Sequence, residues 1–261
     1  MASTRSNLII NKKIMILNHS KLKKPNKTIG ILGGMGPAAS ANLYQKIVSL
    51  AQEKYQAKQD YDYPPMIIYN LPLIGFDETG FTDPKLVKEQ LILGVKKLEQ
   101  AGSDLIIIAC NTVYLFYNEM QSAINIPLIN LIEETIKEVK ADNKQIVGLL
   151  ASQSTNKLKI YAKEINKNDI KLIEVTSQQQ MIINNIILKV MAGEQSIQDA
   201  VLLNEIIDYF KKQGADSVIL GCTELPLAIN QSDVVGIKLY DAVDILAKAA
   251  LKKAYSHPLI S

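Results

Sequence analysis

An internal duplication constrains the fold of this chain more than any other feature of its sequence. Residues 102–112 align with residues 214–224, and each copy contains a Gly, an Asp two residues later, an apolar run and a Cys eight residues after the Gly. A weaker echo relates residues 29–32 to residues 147–150, and the two offsets, 112 and 118 residues, are similar. Repetition of this kind predicts two structural units of like topology.

Short apolar runs alternate with amphipathic stretches from about residue 28 onward. This pattern predicts strands at 28–32, 65–70, 104–109, 126–130, 146–150, 171–175, 217–220 and 235–239, and helices at 37–52, 83–100, 133–139, 154–167 and 242–255, with further helices between 176 and 216. Nearly continuous apolar strands interleaved with helices are typical of parallel sheets covered on both faces. We therefore predict an α/β fold with two pseudo-symmetric domains, each a mostly parallel sheet flanked by helices, and an active site in the cleft between them.

The charged residues are distributed unevenly. Residues 1–28 hold seven basic residues and no acidic one, so the rest of the chain is mildly acidic and lacks the basic surface that binds nucleic acid. We expect residues 1–27 to form a mobile basic leader, residues 28–132 plus 239–261 an N-terminal α/β domain, and residues 133–238 a C-terminal α/β domain. No apolar run resembles a secretory signal or approaches the ~20 residues of a membrane span. We therefore expect a cytoplasmic protein with no membrane partner and two free thiols.

The duplicated cysteines, Cys110 and Cys222, follow their predicted strands at the carboxyl end, where open parallel sheets bind ligands. Two facing domains would place these thiols on opposite sides of one cleft. One thiolate could then remove a proton from a carbon while the other thiol returns a proton to the opposite face, which inverts a stereocentre. The polar residues after each cysteine are expected to open a helix, whose backbone N–H groups and dipole favour the thiolate. Asn111, Thr112 and Thr223 could stabilise the carboxylate of the carbanion-like transition state.

The sequence gives less support to other kinds of catalytic or binding site. A lone Cys after an apolar strand is usually a small core residue, but the duplication of its context favours a shared chemical role. The two histidines, His19 and His257, lie near the termini, which disfavours a Ser-His-Asp arrangement or a zinc site. Residues 34–39 match the G-x-G-x-x-A pattern of dinucleotide-binding proteins, but the next predicted strand ends in Asn70 instead of an acid. A non-catalytic binding protein is a further alternative.

Taken in order, several segments resemble the aspartate/glutamate racemase superfamily. The matching residues are 29–37, 110–112 and 221–224, with further likeness at 126–127 and 132–135. The resemblance covers the chain from about residue 28 and implies two pseudo-symmetric domains, a homodimer, and racemisation of an amino acid without a cofactor. Glutamate racemases carry Asp-Ser-Gly where this chain has Gly33-Gly34-Met35, which favours the aspartate-type branch. Within that branch the chain resembles the cyanobacterial aspartate racemases encoded with microcystin synthesis, an origin that its Lys-, Asn- and Ile-rich composition suits.

The resemblance implies roles for individual residues. Cys110 and Cys222 would be the two catalytic bases, and aspartate the substrate. The expected substrate-binding residues are Met35, Asn70, Asn111, Thr112, Ser152, Thr155, Lys189, Thr223 and Glu224. Alternatives on the same fold are a maleate isomerase, an arylmalonate decarboxylase, which keeps only one of the two cysteines, or a racemase of a different amino acid.

Three positions differ from the aspartate racemase pattern. Tyr114 stands where a His is frequent, the region near Asp77 lacks an expected Arg, and Met191 replaces an expected Lys. An Arg is the strongest partner for a carboxylate because it binds both oxygens at once. Lys189 is the remaining candidate to pair with the distal carboxylate of aspartate.

Overall fold

The computed structural model describes residues 24–77 and 79–255. The first half of the chain forms β1 (Ile29–Gly33), α1 (Pro37–Tyr55), β2 (Met66–Asn70), β3 (Phe76–Asp77), β4 (Gly80–Phe81), α2 (Pro84–Gln100), β5 (Leu105–Ile108), α3 (Tyr117–Ser122) and α4 (Leu131–Ala141). The second half forms β6 (Ile146–Leu150), α5 (Gln153–Lys157), α6 (Ala162–Lys167), β7 (Lys171–Ile173), α7 (Ser177–Ala192), α8 (Ile197–Lys212), β8 (Ser217–Leu220), β9 (Lys238–Asp241) and α9 (Ala242–Ala254). Most of the predicted elements occur within a few residues of their expected bounds, and the predicted α/β class is confirmed.

The two halves have matching sheet topologies. The first sheet has the order β2-β1-β5 and the second has the order β7-β6-β8-β9, and every neighbouring pair is parallel. An isolated parallel bridge between Ile106 and Leu128 gives β5 a neighbour in the position that β9 occupies beside β8. The halves therefore have the pseudo-symmetric architecture that the duplication predicts.

The repeated Gly and Asp have the same structural roles in both halves. Gly102 and Gly214 follow helices α2 and α8 with φ angles of +96° and +89°, a conformation that favours glycine. Asp104 accepts a hydrogen bond from the backbone N–H of Thr28 at 2.6 Å, and Asp216 accepts one from Gln145 at 2.8 Å. Each Asp thus binds the backbone just before the neighbouring central strand and holds the start of that strand in place. This shared role explains why the sequence repeats the Asp.

Three predicted elements differ from those observed. The stretch 126–130 makes only the Leu128 bridge, so the strand predicted there is wrong. The helix predicted at 154–167 is divided into α5 and α6, because Lys159 between them has a φ angle of +53°. The last strand begins at Lys238, three residues later than the start predicted at residue 235.

The expected domain boundary at residue 239 falls inside β9. This strand pairs with β8 and so belongs to the second sheet, whereas α9, which follows it directly, packs against α1 and α4. The chain therefore returns to the first half only after residue 241.

Residues 1–23 of the expected leader, and both histidines, lie outside the described residues. Within residues 24–77 and 79–255, we find no helix with the length and apolar character needed to cross a bilayer.

Gly148, in the centre of β6, lets α8 pack closely on the second sheet. A Cβ atom added there would lie 2.4 Å from Cδ2 of Phe210, whose side chain is fully buried. We expect Gly148→Ala to lower the free energy of unfolding by roughly 1–3 kcal/mol, as overpacking of a core does. Urea denaturation would measure the loss. In the double variant Gly148→Ala/Phe210→Leu, the loss of unfolding free energy should be smaller than the sum of the losses in the two single variants. A loss equal to that sum would contradict this explanation.

Candidate active site

A cavity of about 170 Å³ is lined by residues that follow the carboxyl ends of strands in both sheets. Both cysteines line it, as do seven of the nine expected substrate-binding residues: Met35, Asn111, Thr112, Ser152, Thr155, Thr223 and Glu224. The duplication therefore does bring its two cysteine segments to one place, as the placement of ligands at strand ends in open α/β sheets predicts.

The structure places the other two expected residues away from this cavity. Asn70 is exposed at the end of β2, where its backbone is in register with Gly33. Lys189 donates to a carboxylate oxygen of Asp199 at 2.8 Å, and Asp199 is fully buried. Burial would raise the pKa of Asp199, but the hydrogen bonds from Lys189 and Ser196 outweigh it and lower that pKa. Lys189 is thus engaged by a buried acid of α8 and does not line the cavity.

Cys110 and Cys222 occupy equivalent positions, each two residues after the end of its strand, β5 or β8. Both are free thiols, and their exposed fractions are only 6% and 8%. Gly34 brings the loop after β1 to the same cavity. It has a φ angle of +96°, and an added Cβ would lie 2.3 Å from the carbonyl oxygen of Leu71. Only glycine fits this position, and it allows Met35 to reach the cavity wall.

Glu224 is the main charged group beside the thiols. Cys222 Sγ donates to Oε2 of Glu224 at 3.0 Å, and Thr223 Oγ1 lies 3.2 Å from the same oxygen. The Thr223 hydroxyl also lies 3.3 Å from the carbonyl oxygen of Ala109, which links the loops after β8 and β5. Glu224 is 4% exposed, so its carboxyl group is largely withdrawn from water.

Burial determines the acidity of both thiols. It raises the pKa of Cys110 to about 12, and the charge of Glu224 adds to the increase, while hydrogen bonds from the backbone N–H groups of Val113 and Thr112 lower the pKa. The pKa of Cys222 is also raised well above its ordinary value by burial and by Glu224. The local N–H groups were expected to lower the pKa of both thiols and so favour the thiolates. That expectation is wrong for the net pKa shift, because desolvation of the charge outweighs these hydrogen bonds.

A cluster of buried hydroxyl groups forms another part of the wall. Thr112 Oγ1 lies 2.7 Å from the hydroxyl oxygen of Thr155, 3.1 Å from that of Ser154 and 3.5 Å from that of Ser152. These residues come from the loop after β5 and from the start of α5. They offer hydroxyl donors without introducing a charge.

Asn111, beside this cluster, has an unpaired donor. Its Oδ1 accepts a hydrogen bond from the Tyr161 hydroxyl at 2.7 Å. Its Nδ2 is buried and has no hydrogen-bond partner among the described residues. An unpaired buried donor is costly, so a ligand oxygen that accepts from Nδ2 would be favoured.

The remaining wall is mostly apolar and was largely missed by the sequence analysis. It is formed by Pro37, Leu73, Phe76, Ile187 and Met191, together with the acidic Asp77. The sequence signalled only Asp77 and Met191, as positions where an expected cation is absent. Tyr114, the third such position, does not line the cavity; its hydroxyl donates to the carbonyl oxygen of Ile129 at 3.0 Å. In the described part of the chain, no group of three or more His, Cys, Asp or Glu side chains is arranged to hold a metal ion.

Comparisons with known proteins identify a family and a relative. Residues 32–250 match the family profile described as Asp/Glu/Hydantoin racemase. The broad-specificity amino-acid racemase RacX of Bacillus subtilis is 32% identical over 225 residues, which cover 85% of this chain and 96% of the relative.

Two solved structures are similar over most of the chain. An aspartate racemase homologue from Pyrococcus horikoshii is 31% identical with a TM-score of 0.75, covering 88% of this chain and 100% of the other. The Picrophilus torridus aspartate racemase is 26% identical with a TM-score of 0.76, covering 88% of this chain and 94% of the other.

Proposed function

The chain belongs to the Asp/Glu/hydantoin racemase family, and on that premise we propose that it racemises amino acids with Cys110 and Cys222 as two opposed bases. The observation that carries the proposal is that both thiols line one cavity, from equivalent positions after β5 and β8. By the family resemblance the reaction needs no cofactor, and the substrate expected from that resemblance is aspartate. The finer similarity to the cyanobacterial enzymes encoded with microcystin synthesis stays a prediction.

The α-carboxylate of the substrate is best matched by the neutral donors of the cavity. The hydroxyl groups of Thr112 and Thr155 and the unpaired Nδ2 of Asn111 can donate to its oxygens. Such donors stabilise the charge that moves onto the carboxylate when the α-proton leaves. Because they are buried and held by neighbouring groups, they need little rearrangement as the reaction proceeds.

The α-ammonium group is best matched by Glu224. A cation beside this carboxylate would oppose the charge that raises the pKa of both thiols. Substrate binding would thereby favour the thiolate, which burial and the charge of Glu224 disfavour. The hydrogen bond from Cys222 Sγ to Glu224 also gives the thiol proton a direct acceptor.

The proton balance of one turnover follows from these contacts. The Cys222 proton moves to Glu224, the resulting thiolate takes the α-proton from one face, and the Cys110 thiol gives its proton to the opposite face. The product has inverted configuration, Cys222 is again a thiol, Cys110 is a thiolate, and Glu224 holds the proton that came from Cys222. This form acts on the opposite enantiomer by the reverse steps, or it loses the Glu224 proton to water and regains one at Cys110 to start again, so one site can serve both directions.

Incubation in deuterated water tests this function directly. We expect the purified full chain, with no pyridoxal phosphate added, to place deuterium at the α-carbon of an amino acid and to produce its enantiomer, as read by mass spectrometry and chiral chromatography. Cys110→Ala/Cys222→Ala is the control and should do neither. Absence of both signals from a panel of acidic, neutral and basic amino acids would refute the proposal. Conversion of maleate to its trans isomer would favour another carbon-acid enzyme of this fold.

Homodimer assembly and a cytoplasmic location belong to the same proposal, since the family resemblance implies the first and the leader composition suggested the second. Sedimentation of the purified chain would distinguish dimer from monomer. Fractionation of cells expressing it would establish the compartment.

A further inference from the structure

We propose that the side-chain end of this cavity selects amino acids whose apolar stem ends in a cation, such as lysine, and disfavours the second carboxylate of aspartate. This inference rests on the racemase function proposed above and specifies its substrate class. It differs from the aspartate specificity expected from the family resemblance.

The residues that line the cavity fall into two chemically different groups. The donors and the thiols come from the loops after β5, β6 and β8. The apolar lining residues come from the segment after β2 and from α7: Leu73, Phe76, Ile187 and Met191. An apolar wall accepts the methylene stem of a long side chain, whereas an ionised carboxylate placed against it loses hydration without compensation.

The charge of the cavity also opposes a second carboxylate. Among the described side chains that line it, none is Lys, Arg or His, and the two carboxylic acids are Glu224 and Asp77. The cation that the sequence offered for this role, Lys189, is paired with Asp199. A distal carboxylate would therefore meet negative charge and no partner, while a distal cation would meet Asp77.

Asp77 is held in a fixed position with one oxygen free of the local hydrogen bonds. Its Oδ1 accepts from the backbone N–H and hydroxyl of Thr79, at 2.8 and 2.6 Å, and from the backbone N–H of Gly80 at 3.2 Å. These three bonds do not use Oδ2. The hydrogen bonds from Thr79 lower the pKa of Asp77, so it is ionised at neutral pH. Because Asp77 is exposed, a charged side-chain end can reach it without leaving water.

The first test compares substrates with the wild-type chain. Exchange of the α-hydrogen in deuterated water should give the order L-lysine, then L-methionine, then L-aspartate in kcat/KM, with methionine as an uncharged side chain of comparable length. Aspartate equal to or faster than lysine would overturn the substrate class and leave the racemase function standing. No exchange with any amino acid would instead overturn the racemase function, and this inference with it.

The second test changes the charge at Asp77. We expect Asp77→Asn to lower kcat/KM for lysine by up to about fivefold, the size of a water-exposed ion pair, and to change it for methionine by less than about twofold. Asp77→Arg should reverse the preference between lysine and aspartate. The control is Glu89→Gln, which removes the same charge at an exposed position of α2 outside the cavity. Equal losses for lysine and methionine in Asp77→Asn would mean a structural role only and would overturn the proposal.

Discussion

Replacing either cysteine with alanine is expected to reduce racemisation by about 10³-fold or more, because each inversion needs one base to remove a proton and an acid opposite it to supply one. The two variants should nevertheless retain a partial reaction. In Cys110→Ala, the remaining thiol faces one side of the α-carbon and can exchange the α-hydrogen of one enantiomer with solvent without inverting it. Cys222→Ala should do the same for the other enantiomer.

Separate incubation of the D- and L-enantiomers in deuterated water checks this pattern. Mass spectrometry reads deuterium at the α-carbon and chiral chromatography reads inversion. The reaction of Cys222→Ala should be the slower one, because Cys222 donates directly to the Glu224 carboxylate at 3.0 Å, whereas Cys110 has no such acceptor among the described side chains. Thermal denaturation of each variant controls for folding, since both side chains are buried. Racemisation by either variant near the wild-type rate, or exchange of the same enantiomer by both, would exclude opposed bases.

The duplication is the reason that so much of the fold could be predicted. Two copies of one Gly, Asp, strand and Cys pattern require two equivalent strand ends, and the carboxyl end of the strands is where each parallel sheet binds ligands. The structure gives physical roles to the repeated residues: Gly102 and Gly214 end helices with positive φ angles, and Asp104 and Asp216 bind backbone N–H groups. These roles are local, so the sequence carries them directly.

The properties that the sequence did not predict depend on contacts between distant segments. The acidity of Cys110 reflects its burial and the charge of Glu224 from the other half of the chain, whereas its own sequence neighbours suggested the opposite shift. Lys189 is bound to Asp199, ten residues further along the chain but on a different helix. The apolar wall combines residues of the segment after β2 with residues of α7, and no short motif connects them.

Glu224→Gln should separate the acidity of the thiols from the rate of racemisation. The substitution keeps the shape of the side chain and removes the charge that, after burial, contributes most to the raised pKa of both Cys110 and Cys222. Both pKa values should therefore fall, while burial still holds them above the ordinary value for cysteine. The racemisation rate should fall as well, by about 10²-fold, because the acceptor of the Cys222 proton is weakened and the α-ammonium loses its counter-charge.

Alkylation by iodoacetamide measures the first effect, since only the thiolate reacts. The rate at pH 9 should be several-fold higher in Glu224→Gln than in the wild type, and the rise of alkylation with pH should begin at a lower pH. Glu205→Gln, an exposed position on α8, is the matched control and should leave both alkylation and racemisation unchanged. A variant with slower racemisation but unchanged thiol reactivity would indicate that Glu224 only maintains the local structure. Faster alkylation with undiminished racemisation would remove Glu224 from the proton path and leave the two cysteines to act without it.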